Sequence, residues 1–212
     1  MTKDGYSIVI YTGLALVGFI IVSVFSASII AYSITGLIGV VFIFHFFFFR
    51  DPEREIPEGN NLILSPADGT VLKVDEMVEN EYFQEKVTRV CIFLSVFNVH
   101  VNRIPIAGEI DYLNYKEGKY LLAFADGASD FNEQSVIGIK TQHGRMLFKQ
   151  IAGLIARRIV FRLNKGDQVS AGDRFGMIKY GSRVDMFFPL SVKVHVKPKD
   201  KVKGGSTIIG EF

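Results

Sequence analysis

Residues 6–49 read YSIVIYTGLALVGFIIVSVFSASIIAYSITGLIGVVFIFHFFFF, and no side chain between Asp4 and Arg50 is charged. One bilayer crossing takes about 20 apolar residues, so this stretch is long enough for two crossings. The small polar trio Ser26-Ala27-Ser28 predicts the turn between them. The stretch therefore predicts an N-terminal transmembrane helical hairpin.

The basic residues at the ends of this stretch predict its orientation. Lys3 precedes the first span, and Arg50 and Arg54 follow the second. Because basic residues favour the inner side of a membrane, we expect both ends and the rest of the chain on the cytoplasmic face of the cell membrane. A secretory signal peptide cleaved near residues 26–28 and a single re-entrant segment are the open alternatives. The second long apolar run argues against simple secretion.

A charged segment with two prolines, residues 50–60, predicts a linker between a membrane anchor (1–49) and a domain (61–212). Beyond it, short runs alternate apolar and polar side chains, which is typical of strands, and glycine turns separate them. We expect a mainly β domain, a compact barrel or a sandwich, without a long helix. The clearest predicted strands are Thr70–Val74, Ser135–Lys140, Arg145–Ile151 and Ser191–Val196.

Composition argues against several classes of function. The net charge of +2 over 212 residues gives no reason to expect a nucleic-acid partner. The single cysteine, Cys91, excludes an intrachain disulfide and a cysteine-built metal site, and its apolar neighbours predict a buried, inert thiol. The four histidines show no metal-ligand spacing, and phosphate-loop, dinucleotide and serine-hydrolase motifs are missing. We therefore expect neither a metal nor an external cofactor.

Three polar segments are the candidates for chemistry. The first is the turn Ser65–Gly69, and the second, Phe93–Pro105, places Asn98, His100 and Asn102 on one alternation. The third, Lys179–Asp185, holds a Gly-Ser pair between two strand-like runs.

A Gly-Ser pair can cut its own chain. Glycine lacks a Cβ atom, so a nucleophile can approach its carbonyl carbon closely. The serine hydroxyl attacks that carbonyl to give an ester, elimination leaves dehydroalanine, and hydrolysis gives a pyruvoyl group. The chain has two such pairs, Gly181-Ser182 and Gly205-Ser206, and the second is most simply a hairpin loop. The dipeptide alone does not decide the matter.

Four segments taken together carry a resemblance to a known family. They are FFFRDPER (47–54), SPADG (65–69), FLSVFNVHVNRIP (93–105) and GSRVD (181–185). In this order and spacing, the chain resembles the short-form phosphatidylserine decarboxylase family over essentially its whole length, hairpin included.

The resemblance implies a proenzyme that cuts itself between Gly181 and Ser182. The products would be a β chain of residues 1–181 and an α chain of residues 182–212, associated as a heterodimer that is open to further oligomerisation. Ser182 would become the pyruvoyl group, so that no external cofactor is needed. This group would form a Schiff base with the amine of phosphatidylserine in the membrane, release carbon dioxide and yield phosphatidylethanolamine.

The resemblance also suggests roles for single residues. Asp68 is similar to the family's aspartate that supports self-cleavage; the alternative is a turn residue. His100 matches a family histidine and is our candidate proton donor or acceptor, with a structural strand histidine as the alternative. Arg103 stands where the longer bacterial branch has a second histidine, and we interpret it as a ligand of the substrate phosphate or carboxylate. Tyr180, before the Gly-Ser pair, is interpreted as a packing residue.

Two other functions stay open. The turn at residues 165–173 resembles one in lipoyl and biotinyl domains, so a non-enzymatic, membrane-anchored, lipoyl-like binding module is one alternative. The other keeps the chemistry but changes the substrate to a related serine phospholipid, such as an archaeal ether lipid. The lysines at 193, 197, 199, 201 and 203 are consistent with contact to anionic lipid heads or with a protected strand edge.

Overall fold

The computed structural model describes residues 1–123, 128–154, 158–179 and 181–212. The chain forms two compact units, residues 1–53 and residues 54–212.

The first unit is a helical hairpin. A short 3-10 turn (Lys3–Gly5) leads into helix α1 (Tyr6–Ser26), and helix α2 (Ile29–Phe48) follows. Ala27 ends α1 in the left-handed conformation with φ of 46°, so the chain reverses within two residues. Both helices are long and apolar enough to cross a membrane by length and composition. The predicted pair of long apolar helices is confirmed.

The hairpin carries few polar contacts between its helices. Ser23 Oγ lies 2.7 Å from Thr35 Oγ1, and Thr12 Oγ1 lies 3.4 Å from His45 Nδ1. The hydroxyls of Ser23, Thr12 and Thr35 also donate to backbone carbonyls one turn earlier. Each of these hydroxyls therefore has a hydrogen-bond partner within the hairpin.

The second unit is mainly β, as predicted. The strands are β1 (Leu62–Leu64), β2 (Gly69–Glu79), β3 (Glu85–Leu94), β4 (Val101–Arg103), β5 (Gly108–Lys116), β6 (Gln134–Lys140), β7 (Arg145–Ala152), β8 (Ile159–Phe161), β9 (Gln168–Val169), β10 (Arg174–Ile178), β11 (Ser182–Pro189), β12 (Lys193–Val194), β13 (Lys201–Val202) and β14 (Ile208–Glu211). The eight-stranded sheet has the order β13-β2-β3-β11-β7-β6-β5-β9, and two three-stranded sheets have the orders β4-β10-β8 and β1-β14-β12. The one helix after the hairpin in the described residues is α3 (Ala128–Phe131).

Three of the four predicted strands lie within β2, β6 and β7. The fourth, residues 191–196, is reduced to the two residues of β12. Turns at both ends limit it, because Val192 N–H donates to the Pro189 carbonyl and Lys197 N–H to the Asp200 carboxylate. Alternation alone did not reveal these turns.

Strand β11 is buried on both faces at the centre of the large sheet. It pairs antiparallel with β3 and β7, and Ser182 lies opposite Leu94 on one side and Ala152 on the other. Val184 and Met186 face the main apolar core, whereas Phe187 faces a smaller cluster on the opposite side. Apolar burial on both faces fixes this strand, and with it the position of Ser182.

Candidate active site

Gly181 connects β10 to β11 in a conformation that favours glycine. Its φ is +80°, in the left-handed region that residues with a side chain rarely adopt. A Cβ atom here would meet Val96 Cγ1 only at 3.7 Å, so the backbone conformation, rather than lack of space, requires glycine.

Ser182, the next residue, has an unusual hydroxyl group. The side chain is fully buried, and its Oγ atom has no hydrogen-bond partner among the described residues. Leaving a buried hydroxyl unpaired costs about 1–3 kcal/mol, so such atoms call for an explanation. Here the unpaired hydroxyl belongs to the residue directly after Gly181. Self-cleavage of a Gly-Ser pair needs such a hydroxyl next to the glycine carbonyl.

His100, the residue before β4, contacts the backbone of Gly181. Its Nε2 atom accepts a hydrogen bond from Gly181 N–H at 3.2 Å, and its Nδ1 atom lies 3.0 Å from the Asn98 carbonyl oxygen. Because a carbonyl only accepts, these two bonds assign the neutral tautomer with the proton on Nδ1. The basic nitrogen of a fully buried histidine therefore binds the peptide N–H one bond before the Gly-Ser linkage.

The loop before His100 is held by its own side chains. Asn98 Oδ1 accepts from Ser95 N–H at 2.9 Å and from Ser95 Oγ–H at 2.8 Å. The Asn98 carbonyl is thereby fixed in position, and it orients the imidazole in turn. Asn98 N–H also donates to the Ser95 carbonyl at 2.9 Å, so this segment is a turn, and the predicted strand alternation of Asn98 with His100 is wrong.

Gly153 packs directly against the carbonyl of Gly181. A Cβ atom at residue 153 would lie 2.6 Å from the Gly181 carbonyl oxygen and 3.4 Å from its carbon. Gly153 follows Ala152, which pairs with Ser182 across the sheet. Sequence reasoning missed this residue, since its only signal was one glycine after a predicted strand.

The opposite face of β11 carries a buried ion pair. Arg183 Nε donates to Asp185 Oδ1 at 2.5 Å, Arg183 Nη2 donates to Cys91 Sγ at 2.9 Å, and Ser129 Oγ donates to Asp185 Oδ2 at 2.6 Å. Asp185 is fully buried and Arg183 nearly so. A buried pair with these additional hydrogen bonds is expensive to break, so it holds the residue that follows Ser182.

Cys91 is expected to be unreactive in the folded protein. Burial, followed by the Asp185 carboxylate, raises the pKa of its thiol to about 12, against the lowering effect of Arg183 and Arg89. Because the thiolate is the reactive species, iodoacetamide at pH 8 should label almost no thiol in the native protein and one thiol per chain in denaturant. Labelling of the native protein at the rate of a free thiol would contradict this placement.

Asp68 lies in the turn before β2 and is bound elsewhere. Its carboxylate accepts from Arg54 Nη2 at 2.8 and 3.0 Å and from Gly204 N–H at 2.8 Å. The structure therefore connects Asp68 to the predicted linker and to the turn before Gly205-Ser206, without a hydrogen bond to Ser182 Oγ. Its role in self-cleavage stays a prediction.

Arg103, at the end of β4, is almost fully buried. Its Nη1 atom donates to the Gly172 carbonyl at 3.0 Å, and its Cδ atom lies 2.8 Å from where a Cβ of Gly205 would be. The side chain thus packs two turns together, and substrate binding by Arg103 stays a prediction. Tyr180 lies outside the described residues, and so does its predicted packing role.

The second Gly-Ser pair differs from the first in its surroundings. Gly205 is also left-handed, with φ of +77° beside +80° at Gly181. Ser206 is only half-buried, and its N–H closes a turn with the Lys203 carbonyl. Burial and the His100 contact, rather than glycine conformation, distinguish Gly181-Ser182.

These features define a buried serine site in a mainly β domain that follows a pair of apolar helices. Among the described residues, no three metal-ligating side chains are grouped to hold a metal ion. The family model described as phosphatidylserine decarboxylase matches residues 41–210 of the chain.

Curated relatives extend this match to nearly the whole chain. The phosphatidylserine decarboxylase proenzyme of Wolbachia pipientis wMel is 47% identical over 222 residues, which cover 100% of this chain and 91% of the relative. The one from Chlorobium phaeobacteroides is 45% identical over 192 residues, 91% of this chain and 90% of the relative. The chain therefore belongs to the phosphatidylserine decarboxylase family and is a decarboxylase.

Proposed function

We propose that the chain is a precursor that cuts itself between Gly181 and Ser182 and then converts phosphatidylserine to phosphatidylethanolamine and carbon dioxide. The observation that carries this proposal is the unpaired, buried Ser182 hydroxyl next to a glycine whose N–H is bound by His100. The relatives' description as proenzymes supports it.

The residues around the linkage suit the cleavage reaction. Ser182 Oγ forms a bond to the Gly181 carbonyl carbon, and the bond from that carbon to the Ser182 nitrogen breaks. The hydroxyl proton passes to the Ser182 nitrogen, which is released as a free amine. Loss of the Ser182 α-proton and of the Gly181 carboxylate then separates the chains and leaves dehydroalanine. Addition of water and loss of ammonia yield the keto group.

The keto group would form at the Cα atom of residue 182, where its oxygen takes the place of the lost amine. It would remain bonded to Arg183, and the buried Arg183–Asp185 pair would hold it at the start of β11. Such a group supplies an electron sink for the leaving carboxylate of an amine bound to it. His100, fixed by Asn98, lies where it can give or take a proton near residue 182.

The architecture is suited to holding the two products together. The α chain would contain β11, β12, β13 and β14. β11 lies between β3 and β7 of the β chain, β13 pairs with β2, and β14 pairs with β1. Because these backbone ladders join the two chains, cleavage is expected to leave a stable heterodimer.

The apolar hairpin would keep the enzyme beside its lipid substrate. Helices α1 and α2 are compatible with membrane association. The basic residues Lys3, Arg50 and Arg54 favour the cytoplasmic side for both ends of the hairpin and for the catalytic domain.

The test is turnover of phosphatidylserine labelled in its carboxyl group, presented in mixed micelles to the purified full chain. We expect labelled carbon dioxide and an equal amount of phosphatidylethanolamine. Faster turnover of an ether-linked serine phospholipid would instead favour the archaeal type of substrate. An intact chain without turnover of either lipid would favour the lipoyl-like module.

His100→Ala should impair lipid turnover more than chain cleavage. Loss of a positioned proton carrier costs about 100-fold or more in rate, whereas the buried Ser182 hydroxyl that attacks the Gly181 carbonyl remains in this variant. We expect turnover per keto group to fall at least about 100-fold while cleavage still proceeds. The control is His195→Ala, which changes an exposed histidine beside Glu211. Unchanged lipid turnover in His100→Ala would remove the proposed role.

A further inference from the structure

Exposed apolar side chains gather around the Gly181-Ser182 linkage. Nine large apolar residues are at least 38% exposed among the described residues of the second unit. Five of these nine lie in the segments packed around the linkage, and we call them the apolar rim: Phe97, Leu121, Leu122, Phe131 and Leu154. Such a concentration of exposed apolar surface marks an interaction site.

Phe97 and Leu154 each follow a residue that packs against Gly181. A Cβ atom at residue 181 would lie 3.7 Å from Val96 Cγ1, and a Cβ atom at residue 153 would lie 2.6 Å from the Gly181 carbonyl oxygen. Phe97 is 67% exposed and Leu154 is 53% exposed. Both side chains therefore border the linkage, and they do so from two different loops.

Asn132 connects the rest of the rim to the same end of the sheet. Its Nδ2 atom donates to the Leu121 carbonyl at 2.9 Å and to the Ala152 carbonyl at 2.7 Å, and its Oδ1 atom accepts from Leu121 N–H at 2.9 Å. Ala152 is the residue of β7 that pairs with Ser182, and Phe131 directly precedes Asn132. A buried amide thus holds exposed apolar side chains beside the site.

A lipid leaflet is the partner that this surface fits. The proposed substrate keeps its acyl chains in hydrocarbon and its serine head group at the boundary with water. Because Ser182 is buried, the head group meets this residue only if the surrounding surface comes to that boundary. The rim also combines an aromatic ring with a basic side chain, since Lys119 Nζ lies 5.7 Å from the centre of the Phe131 ring. This combination is typical of side chains at a membrane interface.

We propose that the apolar rim inserts into the lipid leaflet that carries the substrate. This inference rests on the proposed decarboxylation of phosphatidylserine. It adds a lipid contact that belongs to the catalytic domain and is separate from the apolar hairpin. Burial of the leucine and phenylalanine side chains at the boundary of the acyl chains stabilises this contact. The serine head group then enters the site from the leaflet.

Leu122 and Leu190 form a matched pair for testing insertion. They are 47% and 48% exposed. Leu190 directly follows β11, so it lies at the opposite end of this strand from Ser182, roughly 25 Å away at about 3.3 Å per residue. In Leu122→Cys and Leu190→Cys, a fluorescent dye can be attached to the new thiol, while the buried Cys91 stays unlabelled.

The labelled full chain is studied on vesicles of phosphatidylcholine and phosphatidylglycerol. Lipids with a nitroxide in the acyl chain should quench the dye at residue 122 at least about twofold and leave the dye at residue 190 unchanged. Equal quenching at the two positions would overturn the proposal.

Leu122→Asp connects insertion to turnover. Because a charge is costly among acyl chains, turnover of phosphatidylserine in vesicles should fall at least about tenfold. Turnover of dihexanoyl phosphatidylserine below its micelle concentration should be unchanged, because a dissolved substrate needs no leaflet. Leu190→Asp, the control, should match the wild type with both lipids.

Two results of this experiment would overturn the role of the rim. One is an equal fall with both lipids in Leu122→Asp, and the other is no fall with vesicles. Absence of turnover of both lipids by the wild type would instead overturn the proposed function, and the quenching experiment would still report insertion.

Discussion

Ser182→Ala is expected to give a single, full-length, inactive chain. The substitution removes the one oxygen that can attack the Gly181 carbonyl, and it leaves the apolar packing of β11 in place. Because the hydroxyl is unpaired in the described residues, its loss breaks no hydrogen bond there, and we expect the variant to fold. Denaturing electrophoresis and intact mass should show no cleavage, and phosphatidylserine turnover should be undetectable.

Ser206→Ala is the matched control. Its glycine has nearly the same φ as Gly181, +77° against +80°, but its serine is half-buried in a turn. This variant should be cleaved to the same extent as the wild type. Cleavage of Ser182→Ala into two chains would place the cleavage site elsewhere. If Ser206→Ala then stayed a single chain, the site would be the second Gly-Ser pair.

Gly153→Ala is expected to slow cleavage at least about 100-fold, since a displacement of about 1 Å at a reacting group can cost that much. The added methyl group would lie 2.6 Å from the Gly181 carbonyl oxygen, far inside van der Waals contact. The group that must move is the Gly181 carbonyl, which is the group that the Ser182 hydroxyl attacks. The measurement is the fraction of full-length chain remaining against time after synthesis.

Gly210→Ala separates this effect from general destabilisation. A Cβ atom at residue 210 would lie 2.7 Å from the Lys193 carbonyl oxygen, a comparable clash in the sheet β1-β14-β12. Both variants should melt at lower temperature than the wild type, but only Gly153→Ala should retain the full-length chain. Equal cleavage in both variants would show that the contact with Gly181 is unimportant.

Sequence patterns predicted the parts of the fold that depend on local composition. An uncharged run is sufficient to predict the hairpin, because charge in a bilayer is costly along the whole span. Period-two alternation found β2, β6 and β7, although β6 and β7 are buried on both faces. It overestimated the strand at residues 191–196, because turns at Pro189 and Asp200 compete with the ladder there.

The candidate site was only partly predictable for a physical reason. Gly181-Ser182 and His100 were found from short motifs, but two identical dipeptides with similar backbone conformations are distinguished by burial and by the His100 contact, and neither follows from a dipeptide. Gly153 reaches the Gly181 carbonyl because β7 pairs with β11, and this pairing is non-local. The Arg54–Asp68 contact likewise joins residues whose proximity no local pattern encodes.

The mass of the purified wild-type protein in denaturant tests the central claim most directly. Self-cleavage at Gly181-Ser182 predicts two species, one of residues 1–181 and one of residues 182–212 with a keto group and no free amine at residue 182. A single species with the mass of all 212 residues, from protein that is folded and was made without inhibitors, would contradict the account.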